Sequence, residues 1–228
     1  MKVALIGGGV MGEAILAAGL RGGVLSAGDT LVCELIETRR KQIEAAHGVP
    51  TTDSANEAIA PAEVVILAVK PQDAGTLKGS LAREALLVSI MAGVRTATLG
   101  EMFGSARMVR VMPNTPAAVG AGMSAWFATA AVTSEQRAFT RELLLSFGRE
   151  VEVDDEKKVD MATALSGSGP AYVFLFIEAL VEGGVSIGLA RAQAEEMALQ
   201  TVYGSALYAL ESGRSPAELR AAVTSPAG

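Results

Sequence analysis

Short apolar runs alternate with stretches whose apolar positions recur at helical spacing through the first part of the chain. The runs Lys2–Ile6, Thr30–Leu35, Val64–Val69, Leu86–Ile90 and Arg107–Met112 read as strands, and Ser124–Ala128 and Glu150–Val153 as further ones. Val64–Val69 is apolar throughout, the pattern of a strand covered on both faces. Helical spacing runs from about Met11 to Arg21, over Thr38–Ala46 and over Ser134–Phe147, the last with Ser134 as cap and Gly148 as stop. This βα alternation predicts an α/β fold built on a doubly wound parallel sheet.

The pattern changes beyond the charged run Asp154-Asp155-Glu156-Lys157-Lys158. From Lys157 onward it predicts no strand, only helices over Ala171–Gly188, Ala192–Ser212 and Pro216–Val223. Two domains are therefore expected: residues 1–155, and a smaller all-helical domain over 156–228. Ala171–Ala190 is the most membrane-like stretch. It carries Glu178, Glu182 and Gly183-Gly184, so a helix buried against partners is expected rather than a span.

Composition sharpens this. The 228 residues are 50% apolar and 19% charged, with a mean hydropathy of +0.36. So much apolar surface implies extensive burial, part of it in an oligomer. A formal charge of −6, with Arg39-Arg40-Lys41 as the one basic cluster, argues against nucleic acid as a partner. One cysteine, Cys33, and one histidine, His47, allow no disulfide, transition-metal cluster or Cys–His couple within a chain. Cys33 falls in a strand, as a buried inert thiol would, and His47 falls where a helix ends, as a cation facing the dipole would. No signal peptide is read before the first strand, and cytoplasmic localisation is expected.

Candidate chemistry starts at the first strand, which runs straight into Gly7-Gly8-Gly9-Val10-Met11-Gly12. In Gly-x-Gly-x-x-Gly after a strand and before a helix, the first glycine permits the tight turn and the second lets a pyrophosphate approach. The third lets the helix pack on the sheet, and the helix N-terminus faces the phosphates. Ligands of such sheets bind beyond the carboxyl ends of the strands. There, Pro71 holds Lys70 out of helical geometry, leaving its ammonium group to face an anion or simply solvent at a turn. Met91-Ala92-Gly93-Val94 is a small-residue turn, and Pro113 and Pro116 bracket Asn114-Thr115 in a rigid loop. In Leu165-Ser166-Gly167-Ser168-Gly169-Pro170-Ala171-Tyr172, Pro170 suits a first helical position with Ser168 or Gly169 as cap. That turn could hold a carboxylate or phosphate, or be a plain helix cap.

Taken together, these segments resemble the signature blocks of pyrroline-5-carboxylate reductases. The matching blocks are Gly7–Gly12, Ala68–Pro71, Ser89–Val94, Met112–Pro116, Leu165–Tyr172 and Val223–Pro226, in family order across the whole chain. The resemblance implies an N-terminal Rossmann domain and a helical C-terminal domain that interlocks two subunits. It also implies the last step of proline biosynthesis, hydride transfer from NADPH (NADH possible) to the C=N carbon of a cyclic imine carboxylate. Cofactor binding is then expected at Gly7, Gly8, Gly9, Val10, Met11, Gly12, Ala68, Val69, Lys70, Pro71, Ala92, Gly93 and Asn114. Substrate binding is expected at Ser166, Gly167, Ser168, Gly169 and Ser225.

The chain departs from the family at Ser225-Pro226-Ala227-Gly228, where the family reads Ser-Pro-Gly-Gly-Thr. The family's imine-contacting threonine falls past Gly228, so no catalytic residue is assigned, and the 228-residue chain is expected to reduce the imine poorly. Glu34, 22 residues past Gly12, stands where a carboxylate would bond a ribose 2′-hydroxyl, while Arg39 and Arg40 could meet a 2′-phosphate. Three other readings stay open: a reductase for another cyclic imine, a catalytically impaired dinucleotide-binding protein, and a β-hydroxyacid dehydrogenase. Lys157 and Lys158 lack the asparagine one helical turn on that the last would need.

Overall fold

The computed structural model describes residues 1–77 and 79–224 and forms two compact units, Met1–Pro170 and Ala171–Gly228. In the first unit the strands are β1 (Val3–Ile6), β2 (Thr30–Cys33), β3 (Thr51–Thr52), β4 (Val64–Leu67), β5 (Leu86–Ser89), β6 (Met108–Met112), β7 (Gly122–Ala128) and β8 (Gly148–Glu152). The helices are α1 (Val10–Arg21), α2 (Glu37–His47), α3 (Ala55–Ile59), α4 (Thr96–Phe103), α5 (Ser134–Leu145) and α6 (Lys157–Ala162). Among the described residues the strands make one sheet in the order β3-β2-β1-β4-β5-β6-β7-β8.

The first six strands are parallel and reverse direction of addition between β1 and β4, the switch point of a doubly wound sheet. Alternation along each strand builds two cores. Val3, Leu5, Val64 and Ile66 pack with Ile15, Leu16 and Ile43 of α1 and α2, and with Leu143 and Leu144 of α5. Ala4, Ile6, Val65 and Leu67 face the opposite way, toward Ala58 and Ile59 of α3 and Leu99 and Phe103 of α4.

Three readings need correction here. β7 runs antiparallel to β6, because the link over 113–121 is too short for the crossover that a parallel neighbour requires. The cap of α5 is Thr133, not Ser134: its side chain accepts from the Gln136 N–H, and the Gln136 side chain accepts from the Thr133 N–H. Gly148 is not the stop of α5, which ends before Ser146; Gly148 opens β8, where a Cβ would lie 2.0 Å from the Gly122 carbonyl. α3, α4 and the two-residue β3 escape the pattern because they are too short to show a period.

α6 packs on the sheet rather than in the helical unit, with Val159 buried and two of its turn's carboxylates on a buried arginine of β6. It runs through a π-turn, Thr163–Gly167, into α7 (Gly169–Ser186). Lys157–Ser186 is thus one helical run of 30 residues with a stretch of mean hydropathy 1.5. By length and composition alone this run is apolar enough to cross a membrane, because Glu178 and Glu182 do not outweigh the surrounding Phe, Leu, Ile and Val; a core helix covered by partners has the same composition.

In the second unit α7 is followed by α8 (Arg191–Glu211) and α9 (Pro216–Val223). Val181, Ala194 and Ala198 form its small core with Ile177, Val185 and Leu189. Tyr172, Phe174, Leu175 and Phe176 of α7 and Tyr203, Tyr208 and Leu210 of α8 are exposed. Exposed large apolar side chains clustered on two helices mark a surface suited to covering by another apolar surface.

Candidate dinucleotide site

A cleft of about 820 Å³ opens at the carboxyl ends of β1, β2 and β4, beside the switch point. Its wall contains Gly7 and Gly9 from the glycine turn, Cys33–Ile36 after β2, Asp53–Asn56 before α3, and Ala68, Val69 and Lys70 after β4. This volume lies in the range of small-molecule sites, which favour such switch points.

Each glycine of the turn has a separate steric reason. Gly7 has φ +106°, and a Cβ there would lie 2.7 Å from the Ala68 carbonyl oxygen. A Cβ on buried Gly12 would lie 2.1 Å from the Gly7 carbonyl oxygen and 3.3 Å from Ala68 Cβ, so α1 reaches the strand only because that atom is missing. Gly9 caps α1 with extended backbone, and a Cβ there would meet nothing within 4 Å. The backbone at Gly9 is therefore open to close approach, at the end of α1 whose first-turn N–H groups lack intrahelical acceptors.

Gly8 is buried beneath this surface and clamped from both sides. Its N–H donates to Glu34 Oε2 at 3.0 Å, and its carbonyl accepts from Arg39 Nε at 2.8 Å. Arg39 continues to Glu13 Oε2 at 2.5 Å, and Glu13 Oε1 lies 3.1 Å from His47 Nε2. The Arg39 guanidinium, with help from His47 and against partial burial, holds the Glu13 carboxyl below the usual range. His47 does end α2, as expected, but it has this carboxylate as partner as well as the helix dipole. Burial pushes the Cys33 thiol up to about 11, which makes it a poor nucleophile, as its strand position suggested.

Lys70 has extended backbone before a 3-10 turn, Pro71–Thr76, and is the one cation among the cleft's described wall residues. The other predicted residues fall along the same rim. Ala92 and Gly93 are exposed just beyond β5, and Asn114 lies just beyond β6. Met112 and Asn114 meet the π-turn: a Cβ on Gly167 would lie 2.7 Å from Met112 Cε, and Asn114 Nδ2 donates to the Ser166 carbonyl at 3.0 Å.

Sequence reasoning missed the origin of that last bond. Pro170 lacks an N–H, so the carbonyl four residues back, on Ser166, loses its α-helical donor, and the Asn114 amide supplies one from the loop beyond β6. Asn114 Oδ1 meanwhile accepts from Met123 N–H at 2.8 Å. The segment 166–169 is accordingly not a separate cap before a new helix. Ser168 N–H donates to the Thr163 carbonyl and Ser166 Oγ to the Ala162 carbonyl, continuing the helix through a π-turn of a kind frequent at functional sites. Ser225 lies outside the described residues.

Asn114→Ala removes the partners of Met123 N–H and the Ser166 carbonyl together. It is expected to destabilise the protein by about 1–3 kcal/mol, read as a lowered denaturant midpoint. An unchanged midpoint would discount the strut.

A glycine turn on the carboxyl edge of a doubly wound sheet, facing a cleft of this size, defines a dinucleotide-binding protein. Comparison with known proteins sharpens the class. Residues 156–228 match the family model described as pyrroline-5-carboxylate reductase dimerisation, and residues 2–93 the model described as NADP oxidoreductase coenzyme F420-dependent. A pyrroline-5-carboxylate reductase of Synechocystis is 42% identical over 231 residues, covering 100% of this chain and 86% of that one. A solved pyrroline-5-carboxylate reductase from Coxiella burnetii superposes with a TM-score of 0.88 at 34% identity, covering 100% of this chain and 86% of that chain. The Plasmodium falciparum enzyme, solved with NADP bound, does so with 0.87 at 31% identity and the same coverage, 100% and 86%. The chain belongs to the pyrroline-5-carboxylate reductase family.

Proposed function

We propose that the chain reduces 1-pyrroline-5-carboxylate to L-proline with NADPH, NADH being possible, in the cytoplasm and as a homodimer or larger homo-oligomer. The observation that carries the reading is the clamped glycine turn opening onto the switch-point cleft. The bound dinucleotide supplies the hydride. The chain's own residues bind and orient. First-turn N–H groups of α1 and the Lys70 ammonium receive the phosphates, and the rim at Ala92, Gly93 and Asn114 lies along the path toward the substrate.

A cyclic iminium is already electrophilic, so orientation does most of the work, worth roughly 7–11 kcal/mol in well-aligned reactions. Ser166–Gly169 borders the rim through the Asn114 bond, where a substrate carboxylate would be closed in. Support for self-association is the exposed aromatic and aliphatic surface of α7 and α8, within the segment that matches the dimerisation model.

Incubating the purified chain with NADPH and 1-pyrroline-5-carboxylate should consume one NADPH per L-proline formed; NADPH loss without L-proline would overturn the assignment. Lys70→Ala should weaken NADPH and NADH alike, by about tenfold for one exposed charge–phosphate contact. A selective effect on one dinucleotide in calorimetric titration would place Lys70 elsewhere than at the shared phosphates.

A further inference from the structure

At the end of β2 the cleft presents a carboxylate where a phosphate-binding cation would be needed to favour NADPH. Glu34, the first residue beyond Cys33, lines the cleft with its carboxylate locked in place. Oε2 accepts from Gly8 N–H at 3.0 Å and Oε1 from Ile36 N–H at 2.9 Å. With Arg39 on the Gly8 carbonyl, the turn that meets the pyrophosphate and the segment that follows β2 form one rigid assembly.

The two arginines available from the sequence for a 2′-phosphate are both committed elsewhere. Arg39 bonds the Gly8 carbonyl, Glu13 and Gln42. Arg40 bonds the carbonyls of Glu34 and Leu35 at 2.8 and 2.9 Å and lies 3.7 Å from Asp53. The charges on the cleft wall are then Glu34, Asp53 and Asp73 against Lys70 alone, among the described residues. Freeing either arginine for a ligand would break bonds that shape the turn.

We propose that Glu34 sets the choice of dinucleotide. Its carboxylate accepts a hydrogen bond from the adenosine ribose 2′-hydroxyl of NADH and repels the 2′-phosphate of NADPH. The chain therefore binds NADH at least as tightly as NADPH, although it uses both. This rests on the cleft being the dinucleotide site. It follows from two separate features of the fold: where the backbone N–H groups of Gly8 and Ile36 hold the carboxylate, and where the arginines are spent.

The test is calorimetric titration of the full chain with NADH, NADPH, ADP-ribose and 2′-phospho-ADP-ribose, for the parent, Glu34→Gln and Glu34→Ser. The parent should hold NADH as tightly as NADPH or more so, and ADP-ribose likewise over its 2′-phosphorylated form. Glu34→Ser should reverse the order, tightening NADPH about tenfold while weakening NADH by a similar factor. Glu34→Gln keeps the side-chain shape and one amide-oxygen acceptor while losing the charge. It should move the ratio the same way by less, and it decides the matter if the serine variant fails to fold. A parent that prefers NADPH tenfold, or a ratio that neither variant moves, overturns the proposal while leaving the dinucleotide site intact. A parent that binds none of the four ligands overturns the site itself, and the proposal with it.

Discussion

Replacing Gly12 by alanine is expected to abolish useful cofactor binding while leaving most of the sheet folded. The added Cβ would stand 2.1 Å from the Gly7 carbonyl oxygen, and the atom it meets is backbone, which cannot swing aside. Relief requires α1 to slide or the Gly7 turn to open. Ala68, on the neighbouring strand end, already lies 3.3 Å from the same point and closes one route. A displacement of about 1 Å in the group that orients a reactant can reduce rate about a hundredfold. A loss of that order is expected in kcat/KM, with a parallel loss in NADPH affinity by calorimetry. The overpacking itself is worth about 1–3 kcal/mol of stability. Because Gly9 has open space at the same position, Gly9→Ala is the contrast: it should fold normally and lose affinity only through its proximity to the ligand. Equal NADPH affinity in Gly12→Ala and the parent would refute the close-packing argument.

Arg110→Ala is expected to have the largest effect on stability. Arg110 is only 1% exposed on β6, and it binds Glu156 Oε1 at 3.4 Å and Asp160 Oδ1 at 2.5 Å. Its Nε has no hydrogen-bond partner among the described residues, so the guanidinium is held by this pair of carboxylates alone. Glu156 in turn accepts from Thr96 N–H at 2.7 Å and Thr96 Oγ1 at 2.9 Å. It thereby caps the N-terminus of α4, whose own cap position, Arg95, supplies no side-chain bond. One arginine thus fastens a central strand, the start of α4 and the first turn of the long helical run.

Removing it leaves a cavity and deprives Glu156 of its cation, while Asp160 keeps only the more distant Arg95, 3.8 Å away. Breaking a buried pair in this way costs about 3–5 kcal/mol, and the lower end applies because Asp160 is partly exposed. Urea unfolding should show that loss as a shifted midpoint. Arg110→Met, which refills the volume, should recover part of it. The shift should also loosen the π-turn that follows α6, so kcat/KM should fall even where the variant remains folded. Parent-like unfolding of Arg110→Ala would show that the network contributes little.

Much of this was legible in the chain. Strand and helix positions followed from period, and the glycine turn from its place between Ile6 and the first helix. Lys70 took the extended backbone that Pro71 imposes. Other features were not legible, for identifiable reasons. α3 is too short to show a period, and the π-turn depends on a donor from Asn114, 52 residues away from Ser166. Arg110 sits within the apolar run Met108–Met112, where the pattern shows a strand but not a buried ion pair with residues 46 and 50 positions on.

By itself, the sequence determined the alternation of elements, the dinucleotide turn and the family's order of blocks, because each depends on neighbours along the chain. Only the tertiary structure decided what the charged side chains do. Glu34, Arg39 and Arg40 are close in sequence and equally available on paper to a ligand phosphate or ribose. Folding brings Gly8 against all but the last of them, assigns the arginines to Gly8, Glu13 and the chain's own carbonyls, and leaves Glu34 to face the cleft. A buried backbone group must find a partner, and that requirement acts through space rather than along the chain.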